Sequence, residues 1–471
     1  MIELKTREGR AQYAALSTLN GYPEIFSVFP GEPVHVRLAR KPSLNPLGNL
    51  RTVTVKTIEL VNVVTGAATA VPVPAKTKLR SQKPRNYRDE GADYAARVEI
   101  PTAGLEPGVY ECKVTDSAGA KSKRIHFNVK PERRQDYDLL CVLPTFTWHA
   151  YNRIGGGCFY TDELGPVRTI TTQRPMTLAG DNSIEASIPF LTLFAEAGAK
   201  VACIDSRDLH LDLAPQGRVP VMALLTHDEY WSEPMRAWID HYVRRGGILM
   251  VIAGNVCWWK IEVEGDNLTV DKAVQPLQKG GGARRPRGRK WYQQGDPEER
   301  TFVASYRFGG YASERISKKG HLQRMKGLSE GDASFVDAGS LKIVRPDHPL
   351  FEGVALDDGD RLGGEVPIVY REIDAVPLKA DGSLDRTWYD ADKLDPEILA
   401  TGTVIRGELF HSPVAEAGIV VEADIARGHV LHMGSFGWSR GLGQNNERAR
   451  QVVLNAYRYC RGMAGGRRRR R

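Results

Sequence analysis

The sequence predicts a multidomain β plus α/β protein, and a change in its pattern near residue 130 carries this prediction. Before that point, short runs alternate apolar and polar side chains, with Pro and Gly between the runs. Such runs are typical of an antiparallel β-sandwich of immunoglobulin type. Beyond the charged joint at residues 130–136, apolar runs of strand length alternate with helical patterns of ten or more residues. That alternation indicates βαβ units and a mostly parallel sheet.

The predicted elements follow from these periodicities in chain order. Period-2 alternation places the sandwich strands at residues 32–38, 51–58, 95–100, 108–114 and 123–129. In the second unit, apolar runs predict strands at residues 137–143, 200–205, 219–226, 247–254 and 428–434. Helical spacing predicts helices at residues 183–198, 233–245 and 446–460. Ser232 precedes Glu233 and Pro234, which predicts an N-cap followed by proline in the first turn.

These elements divide the chain into two domains. We expect an immunoglobulin-like β-sandwich over residues 1–132 and an α/β domain with a mostly parallel sheet over residues 133–465. A long insertion at about residues 262–406 mixes strand signals, turns and a basic run at residues 279–290. That run has no interleaved aromatic residues, so we interpret it as a solvated loop. Residues 466–471 are predicted to be a disordered basic tail.

Composition excludes several classes of protein. The formal net charge is +8, but five of these charges lie in the terminal arginine run, and without them the total is an ordinary +3. Binding to nucleic acid is therefore not expected. No apolar stretch approaches the roughly 18 residues of a membrane helix, and the first residues lack the apolar core of a signal peptide. We expect a cytoplasmic protein. Its six cysteines have no metal-site or redox spacing.

Functional residues are expected beyond the carboxyl ends of the parallel strands, where open α/β sheets bind their ligands. One predicted strand runs directly into His227, Asp228 and Glu229. Neighbouring side chains of a strand point to opposite faces, so at least one of the three should enter the crevice above the sheet. A carboxylate buried there needs a partner or a metal ion. The helix cap at Ser232 does not explain these three residues.

Four segments carry a resemblance to a known family: residues 143–152, 226–232, 253–259 and 433–438. Together they resemble the C-terminal region of the large subunit of N,N-dimethylformamidase. The likeness covers most of residues 136–461, and the His-Asp-Glu-Tyr-Trp-Ser run is its most specific signature. The catalytic domain of that family is similar in fold to class I glutamine amidotransferases, which agrees with the βα order above. The resemblance therefore implies that residues 133–465 form an amidotransferase-like α/β catalytic domain.

The resemblance implies a hydrolase of linear amides with one mononuclear Fe(III), held by two tyrosinates and one glutamate. Glu229 matches the glutamate, and Tyr151 matches one tyrosine. Tyr110 is implied as the second tyrosine by its similar spacing from Tyr151, so the sandwich would contribute a ligand. His227 would lie beside the attacking water or the oxyanion. Glu365 matches the family's second glutamate and is the candidate general base.

Coordination chemistry agrees with this implied site. Phenolate and carboxylate oxygens suit a hard cation such as ferric iron, and three protein ligands leave positions for water and a substrate carbonyl. The expected reaction cleaves the C–N bond of a small N-substituted amide by metal-activated water. The expected partners are this substrate and further copies of the chain, with a small partner subunit as an open alternative. Neither nucleic acid nor a membrane is expected.

Two other functions stay open. A metal-free hydrolase would use Cys257 as nucleophile and His411 or His432 as base, although the sequence around Cys257 lacks the small residues of a nucleophile elbow. A non-catalytic binding protein is the second alternative. In that case Tyr110 is an ordinary sheet tyrosine and Glu365 a solvated surface acid. The candidate residues that are retained argue against it, because decay removes reactive groups first.

Overall fold

A computed structural model of the chain describes most of its residues. The described residues are 16–41, 52–74, 77–80, 90–132, 136–154, 157–160, 168–214, 220–272, 290–312, 315–317, 335–337, 339–356, 361–363, 366–389, 393–405 and 414–469. They form a β-rich fold with two parts, which confirms the multidomain prediction. Across these residues no helix combines the length and the apolar character needed to cross a membrane.

Two β-sheets form the first part. Its strands are β1 (Leu19–Pro23), β2 (Ser27–Val28), β3 (Val34–Arg40), β4 (Val53–Asn62), β5 (Ala68–Val71), β6 (Lys78–Leu79), β7 (Ala96–Ile100), β8 (Gly108–Asp116) and β9 (His126–Val129). One sheet has the order β1-β3-β7, and the other has the order β2-β9-β8-β4-β5 with β6 paired to β4. Side chains from both sheets meet in one apolar core that includes Val36, Ile58 and Phe127. Pairing is antiparallel except between β2 and β9, and the immunoglobulin type stays a prediction.

The second part begins with a strand and helix of the α/β kind. Its first elements are β10 (Leu139–Leu143), α1 (Thr145–Tyr151), β11 (Thr169–Thr171), α2 (Ile184–Glu196), β12 (Val201–Asp205), α3 (Ser206–His210), β13 (Val221–His227), β14 (Tyr230–Trp231), α4 (Glu233–Arg244), β15 (Ile248–Gly254), β16 (Trp259–Glu264) and β17 (Asn267–Val270). The predicted strands and helices of this region are present to within two residues at most boundaries. Helix α1 is a difference, because no helix was predicted over these residues.

The remaining elements lie in the insertion and at the carboxyl end of the chain. They are α5 (Glu299–Phe302), α6 (Tyr306–Gly309), β18 (Gly310–Ala312), β19 (Arg315–Ser317), β20 (Phe335–Asp337), β21 (Leu341–Ile343), β22 (Arg361–Leu362), β23 (Arg371–Ala375), β24 (Glu397–Ile405), β25 (Val414–Ile425), β26 (Gly428–Met433), α7 (Gly437–Gly443) and α8 (Glu447–Arg469). Short 3₁₀ turns occur at Gly180–Asn182, Trp291–Gln294, Pro349–Phe351 and Arg386–Trp388. Helix α8 extends beyond the predicted helix into the segment for which we predicted a disordered tail.

In the part of the chain that the structure describes, the central sheet has eleven strands and is only partly parallel. Strands β12, β10, β13, β15 and β26 lie side by side in that order and are parallel. Beyond β26, strands β25 and β24 continue the sheet in antiparallel pairing. The insertion is part of the α/β domain, because its strands β18, β21, β22 and β23 belong to the central sheet of that domain. Helices α2 and α8 pack on one face, where Phe194 contacts Tyr457.

The two parts are joined by buried polar contacts as well as by packing. Lys130, directly after β9, lies 2.5 Å from the carboxylate of Asp208 in α3, and both side chains are buried. Asn128 of β9 donates to the carbonyl of Cys203 in β12. A buried ion pair is strongly sensitive to loss of one partner, because the other charge is left without compensation. The Lys130 pair therefore fixes the position of the sandwich on the α/β domain.

Lys130→Met is expected to lower the free energy of unfolding by about 3 kcal/mol, because Asp208 is then a buried charge without its partner. Chemical denaturation measures this difference. Lys113→Met is the matched control, since Lys113 is about half exposed and lies 3.7 Å from Glu111. The control should change stability by less than about 0.5 kcal/mol. Equal effects of the two substitutions would contradict a joining role for Lys130.

Candidate active site

The candidate site lies where the direction of strand connection reverses. From β10 the chain moves to β12 on one side of the sheet and then returns to β13 on the other side. The crevice beyond the carboxyl ends of β10 and β13 is a topological switch point, where such sheets bind ligands. Helix α1 starts directly after β10, and the His227 to Glu229 segment ends β13. Both therefore reach the same crevice.

Two phenols meet the carboxylate of Glu229 in this crevice. The Tyr151 hydroxyl donates to Glu229 Oε2 at 2.8 Å, and the Tyr160 hydroxyl donates to Oε1. Their rings are stacked with centroids 4.5 Å apart. Glu229 is 2% exposed, whereas Tyr160 is 45% exposed and reaches inward with its hydroxyl. Three oxygen-bearing side chains thus converge at one end of β13.

Burial controls the protonation of this group. It raises the pKa of Glu229, and the neighbouring Glu372 carboxylate raises it further. Burial together with the charge of Glu229 also raises the pKa values of Tyr151 and Tyr160 well above the ordinary value. Both phenols are therefore neutral donors in the absence of a cation. Loss of their protons requires a positive charge close to the oxygens.

The imidazole of His227 connects two other segments to the site. Its Nε2 lies 2.5 Å from Glu372 Oε2 and 3.6 Å from Glu229 Oε2. Its Nδ1 is hydrogen-bonded to Asn182 Oδ1 at 2.7 Å. Burial alone would lower the pKa of His227, but the facing Glu372 carboxylate raises it to about 9. The same contact lowers the pKa of Glu372 in spite of its burial. His227 and Glu372 therefore form an imidazolium–carboxylate pair.

Strand β23 brings Glu372 to the site by crossing the end of β15. Asp374 accepts the backbone N–H groups of Asn255 and Val256, both at 2.9 Å. Asn255 Nδ2 donates to Glu372 Oε2 at 3.0 Å. The approach is close enough that a Cβ atom on Gly254 would lie 2.0 Å from the Glu372 carbonyl oxygen. Position 254 therefore requires glycine.

Among the described residues, eleven residues other than glycine have a positive φ, and three of them lie at the same place. Thr226, Asn255 and Arg371 have φ values of 71°, 58° and 57°, in the left-handed region that residues other than glycine rarely adopt. Each stands next to, or is, a residue of the site. Such conformations cost about 1–3 kcal/mol each and persist where surrounding contacts determine them. Their clustering supports a functional role for this crevice.

Lys272 adds a positive charge beside Tyr160 and Tyr230. Lys272 Nζ lies 2.5 Å from the Tyr230 hydroxyl and 3.4 Å from the ring centroid of Tyr160. Burial lowers the pKa of Lys272 to about 8, while Glu229 acts in the opposite direction. The cation faces the aromatic surface of Tyr160, an attractive arrangement. It also partly offsets the negative charge of Glu229.

Backbone contacts hold Glu229 in place. Thr147 of α1 accepts the backbone N–H groups of Glu229 and Tyr230 at 2.9 and 3.2 Å. Arg174 is almost fully buried. It donates to the carbonyl oxygens around the turn between the two phenols, which belong to His149, Ile154 and Gly157. The positions of the candidate ligand oxygens are thus set by the local fold.

The structure brings together three of the five predicted site residues. Tyr151, His227 and Glu229 lie together, as the geometry above shows. Tyr110 does not join them, because it lies in the sandwich core, where its ring stacks on Phe127 and its hydroxyl donates to the Glu106 carbonyl. The second phenol at Glu229 is Tyr160. Glu365 lies outside the described residues.

Sequence reasoning missed Tyr160, Glu372, Asn255, Asn182 and Lys272. Asn255 directly follows β15, so the strand-end rule that selected Glu229 also applies to it. Glu372 lies at the start of a strand in the insertion, where that rule gives no signal. Tyr160 follows Tyr151 by nine residues, and no periodicity shows that the chain turns back between them.

The alternative site around Cys257 gains no support from the structure. Burial raises the pKa of the Cys257 thiol well above its ordinary value, which disfavours the thiolate that a nucleophile needs. His432 bonds the Phe302 carbonyl through Nδ1 and lies 3.3 Å from Asp374 through Nε2. His411 lies outside the described residues.

The fold and site define a β-rich protein of two parts, with a buried carboxylate–phenol cluster at the switch point of its central sheet. Residues 65–450 match the family model described as N,N-dimethylformamidase beta subunit-like, C-terminal. The chain belongs to this family, which confirms the resemblance found in the sequence. Comparison with curated proteins returns no significant match.

Among solved structures, three superoxide reductases (neelaredoxins) from Ignicoccus hospitalis show a limited likeness. One, a variant with a single substitution, is 15% identical, covering 28% of this chain and 91% of its own, with a TM-score of 0.16. A second variant is 13% identical, with coverages of 25% and 85% and a TM-score of 0.16. The third is 14% identical, with coverages of 27% and 89% and a TM-score of 0.15. These TM-scores are too low to bear on fold or function.

Glu372→Gln is expected to lower the pKa of His227 from about 9, because burial is then opposed only by the charges of Glu229 and Asp228. A raised pKa means that the pair stabilises the fold below the unfolded value of about 6.5, and that this contribution is lost as pH rises through about 9. Histidine NMR titration of metal-free protein measures the change. Glu422→Gln, beside His348 and His429, should leave His227 unaffected. An unchanged His227 pKa in Glu372→Gln would contradict the pairing.

Proposed function

We propose that the protein is an iron-dependent amidohydrolase of the dimethylformamidase type, which cleaves the C–N bond of a small N-substituted amide. One observation carries the proposal: two phenols from different segments meet the two oxygens of one buried carboxylate, with an imidazolium–carboxylate pair beside them. The family description, which names the beta subunit of N,N-dimethylformamidase, supports the reaction class. It also supports the proposal that the chain acts in an assembly with other subunits.

The residues present fit an iron ion by the chemistry of their donors. Within the described residues, no three His, Cys, Asp or Glu side chains are grouped so as to hold a metal. A metal at Glu229 would therefore depend on the phenol oxygens of Tyr151 and Tyr160, and hard anionic oxygens of this kind favour ferric iron. Tyr160 takes the place that sequence reasoning gave to Tyr110. When bound, the iron would polarise the amide carbonyl and favour ionisation of a water molecule.

His227 and Glu372 are suited to proton transfer beside this centre. The two hydrogen bonds that reach the Glu372 carboxylate from His227 and Asn255 both fall on Oε2. Glu372 Oε1 can then accept a proton from the attacking water and deliver it to the departing amine nitrogen. The positive charge of His227 keeps Glu372 ionised before the reaction. We therefore propose Glu372 as the general base, while the expectation for Glu365, which lies outside the described residues, stays a prediction.

The walls of the crevice favour a small neutral substrate. Aromatic rings surround His227, with Tyr151 at 5.2 Å and Phe436 at 6.5 Å between ring centroids. Burial and the charges of Glu372 and Glu229 raise the pKa of Tyr306 well above its ordinary value. The charged groups of the site are already paired with one another. An uncharged amide with short alkyl groups would displace water from such walls without burying a new charge.

Tyr160→Phe is expected to abolish or strongly weaken iron binding, because it removes one of three ligand oxygens. Purified wild-type protein should contain about one iron per chain and absorb visible light through phenolate-to-iron charge transfer. Metal analysis and absorption spectra measure both properties. Iron-free, colourless wild-type protein that takes up no ferric iron would overturn the proposal.

Tyr110→Phe provides the matched control, since it also removes one hydroxyl from a buried tyrosine. It should keep the colour and iron content of the wild type, with a stability loss of about 1 kcal/mol from the lost bond to Glu106. Loss of colour in Tyr110→Phe but not in Tyr160→Phe would restore the sequence-based ligand set. Amine release from a panel of N-alkyl amides tests the reaction itself, and wild-type protein should release amine from at least one of them.

A further inference from the structure

Two residues that bond His227 each have a charged neighbour in the chain, and these charged neighbours bond each other. Asn182 and Glu372 hold the two ring nitrogens of His227. Asp181 precedes Asn182 in the 3₁₀ turn, and Arg371 precedes Glu372 at the start of β23. The guanidinium of Arg371 forms an ion pair with the Asp181 carboxylate. The turn and the strand are therefore tied twice, once through imidazole and once through this pair.

These two sets of contacts form a closed ring that includes His227 and Glu372, the residues proposed for proton transfer. One side of the ring runs from Asn182 through His227 to Glu372, and the other side is the ion pair of Asp181 with Arg371. Adjacent residues joined by a peptide bond complete the ring at each end. A shift of the turn relative to β23 would change both sides together. The ion pair thus limits how far Glu372 can move from His227.

The backbone of Arg371 supports this interpretation. Its φ of 57° is rare for a residue other than glycine. Arg371 is paired with Ala312 of β18 in the sheet. Its backbone is therefore held by β18, and its side chain is held by Asp181. Strained conformations persist where several contacts determine them. Here the strained residue immediately precedes the carboxylate that must meet His227.

We propose that Asp181 and Arg371 are a positioning pair, which holds Glu372 at hydrogen-bonding distance from His227 for proton transfer. Neither residue is proposed to touch the substrate. This inference rests on the proposed function for its kinetic consequence, but the geometry that it asserts is independent of metal binding. The two can therefore be tested separately.

Asp181→Asn tests the pair, with Asp266→Asn as the matched control. Asp266 is also 39% exposed and pairs with an arginine, Arg207. Crystal structures of wild type and both variants give the first readout. Asp181→Asn should lengthen the contact of His227 Nε2 with Glu372 Oε2 from 2.5 Å to beyond hydrogen-bonding distance, whereas Asp266→Asn should leave it unchanged. An unchanged contact in Asp181→Asn overturns the proposal, whatever the enzyme activity.

Kinetics with an amide identified by the amine-release panel give the second readout. Asp181→Asn and Arg371→Met should each lower kcat by about 10- to 100-fold with little change in KM or iron content, since small displacements of a catalytic group have effects of this size. The double variant should be no slower than the single ones, because both remove the same contact. Additive effects, or iron loss in step with kcat, would overturn the positioning role. Wild-type protein inactive on all amides would instead contradict the proposed function and leave the structural readout decisive.

Discussion

The burial of the Glu229 carboxylate is the constraint on which the rest of the site depends. A carboxylate removed from water costs several kcal/mol unless other groups bond or neutralise it. No single element supplies those groups. Tyr151 comes from α1, Tyr160 from the following turn and His227 from the same strand end as Glu229, while Glu372 joins them through His227. The site thus forms only when several segments of the chain are packed together. The buried charge of Glu229 makes their positions depend on one another.

The insertion has a structural consequence beyond its length. Its strands extend the parallel sheet in antiparallel pairing, which carries β23 across the carboxyl ends of β15 and β26. The crossing is so close that Gly254 and Gly434 each lie where an added Cβ would be 2.0 Å from a carbonyl oxygen of β23. Close backbone contact of this kind fixes where the backbone of β23 crosses the strand ends. An α/β domain without the insertion would hold Glu229 but would lack the carboxylate that ionises His227.

The sequence predicted the parts of the molecule whose signal is local. Strand and helix patterns located β13 and α4, and the strand-end rule located His227 and Glu229. Two of the missed residues, Glu372 and Tyr160, depend on contacts outside their own segments. Glu372 is far from Glu229 in the chain and reaches it only because the insertion pairs with the central sheet, while Tyr160 depends on a turn held by Arg174. Tyr110 was selected by its distance along the chain from Tyr151. Such a distance does not show that its strand turns this side chain into the sandwich core.

The position of Tyr110 changes what the sandwich does for the site. A metal ligand from the sandwich would have joined the two domains through the reaction centre. Instead, the sandwich supports helix α1 from outside: Phe26 packs edge-on against Trp148, with centroids 5.9 Å apart, and Gln173 donates to the carbonyl of Glu24. Trp148 lies one helical turn before Tyr151, so displacement of the sandwich would move the phenol as well. The domains are therefore joined by packing and by the buried Lys130 ion pair, and the candidate ligands Tyr151, Tyr160 and Glu229 all lie in the α/β domain.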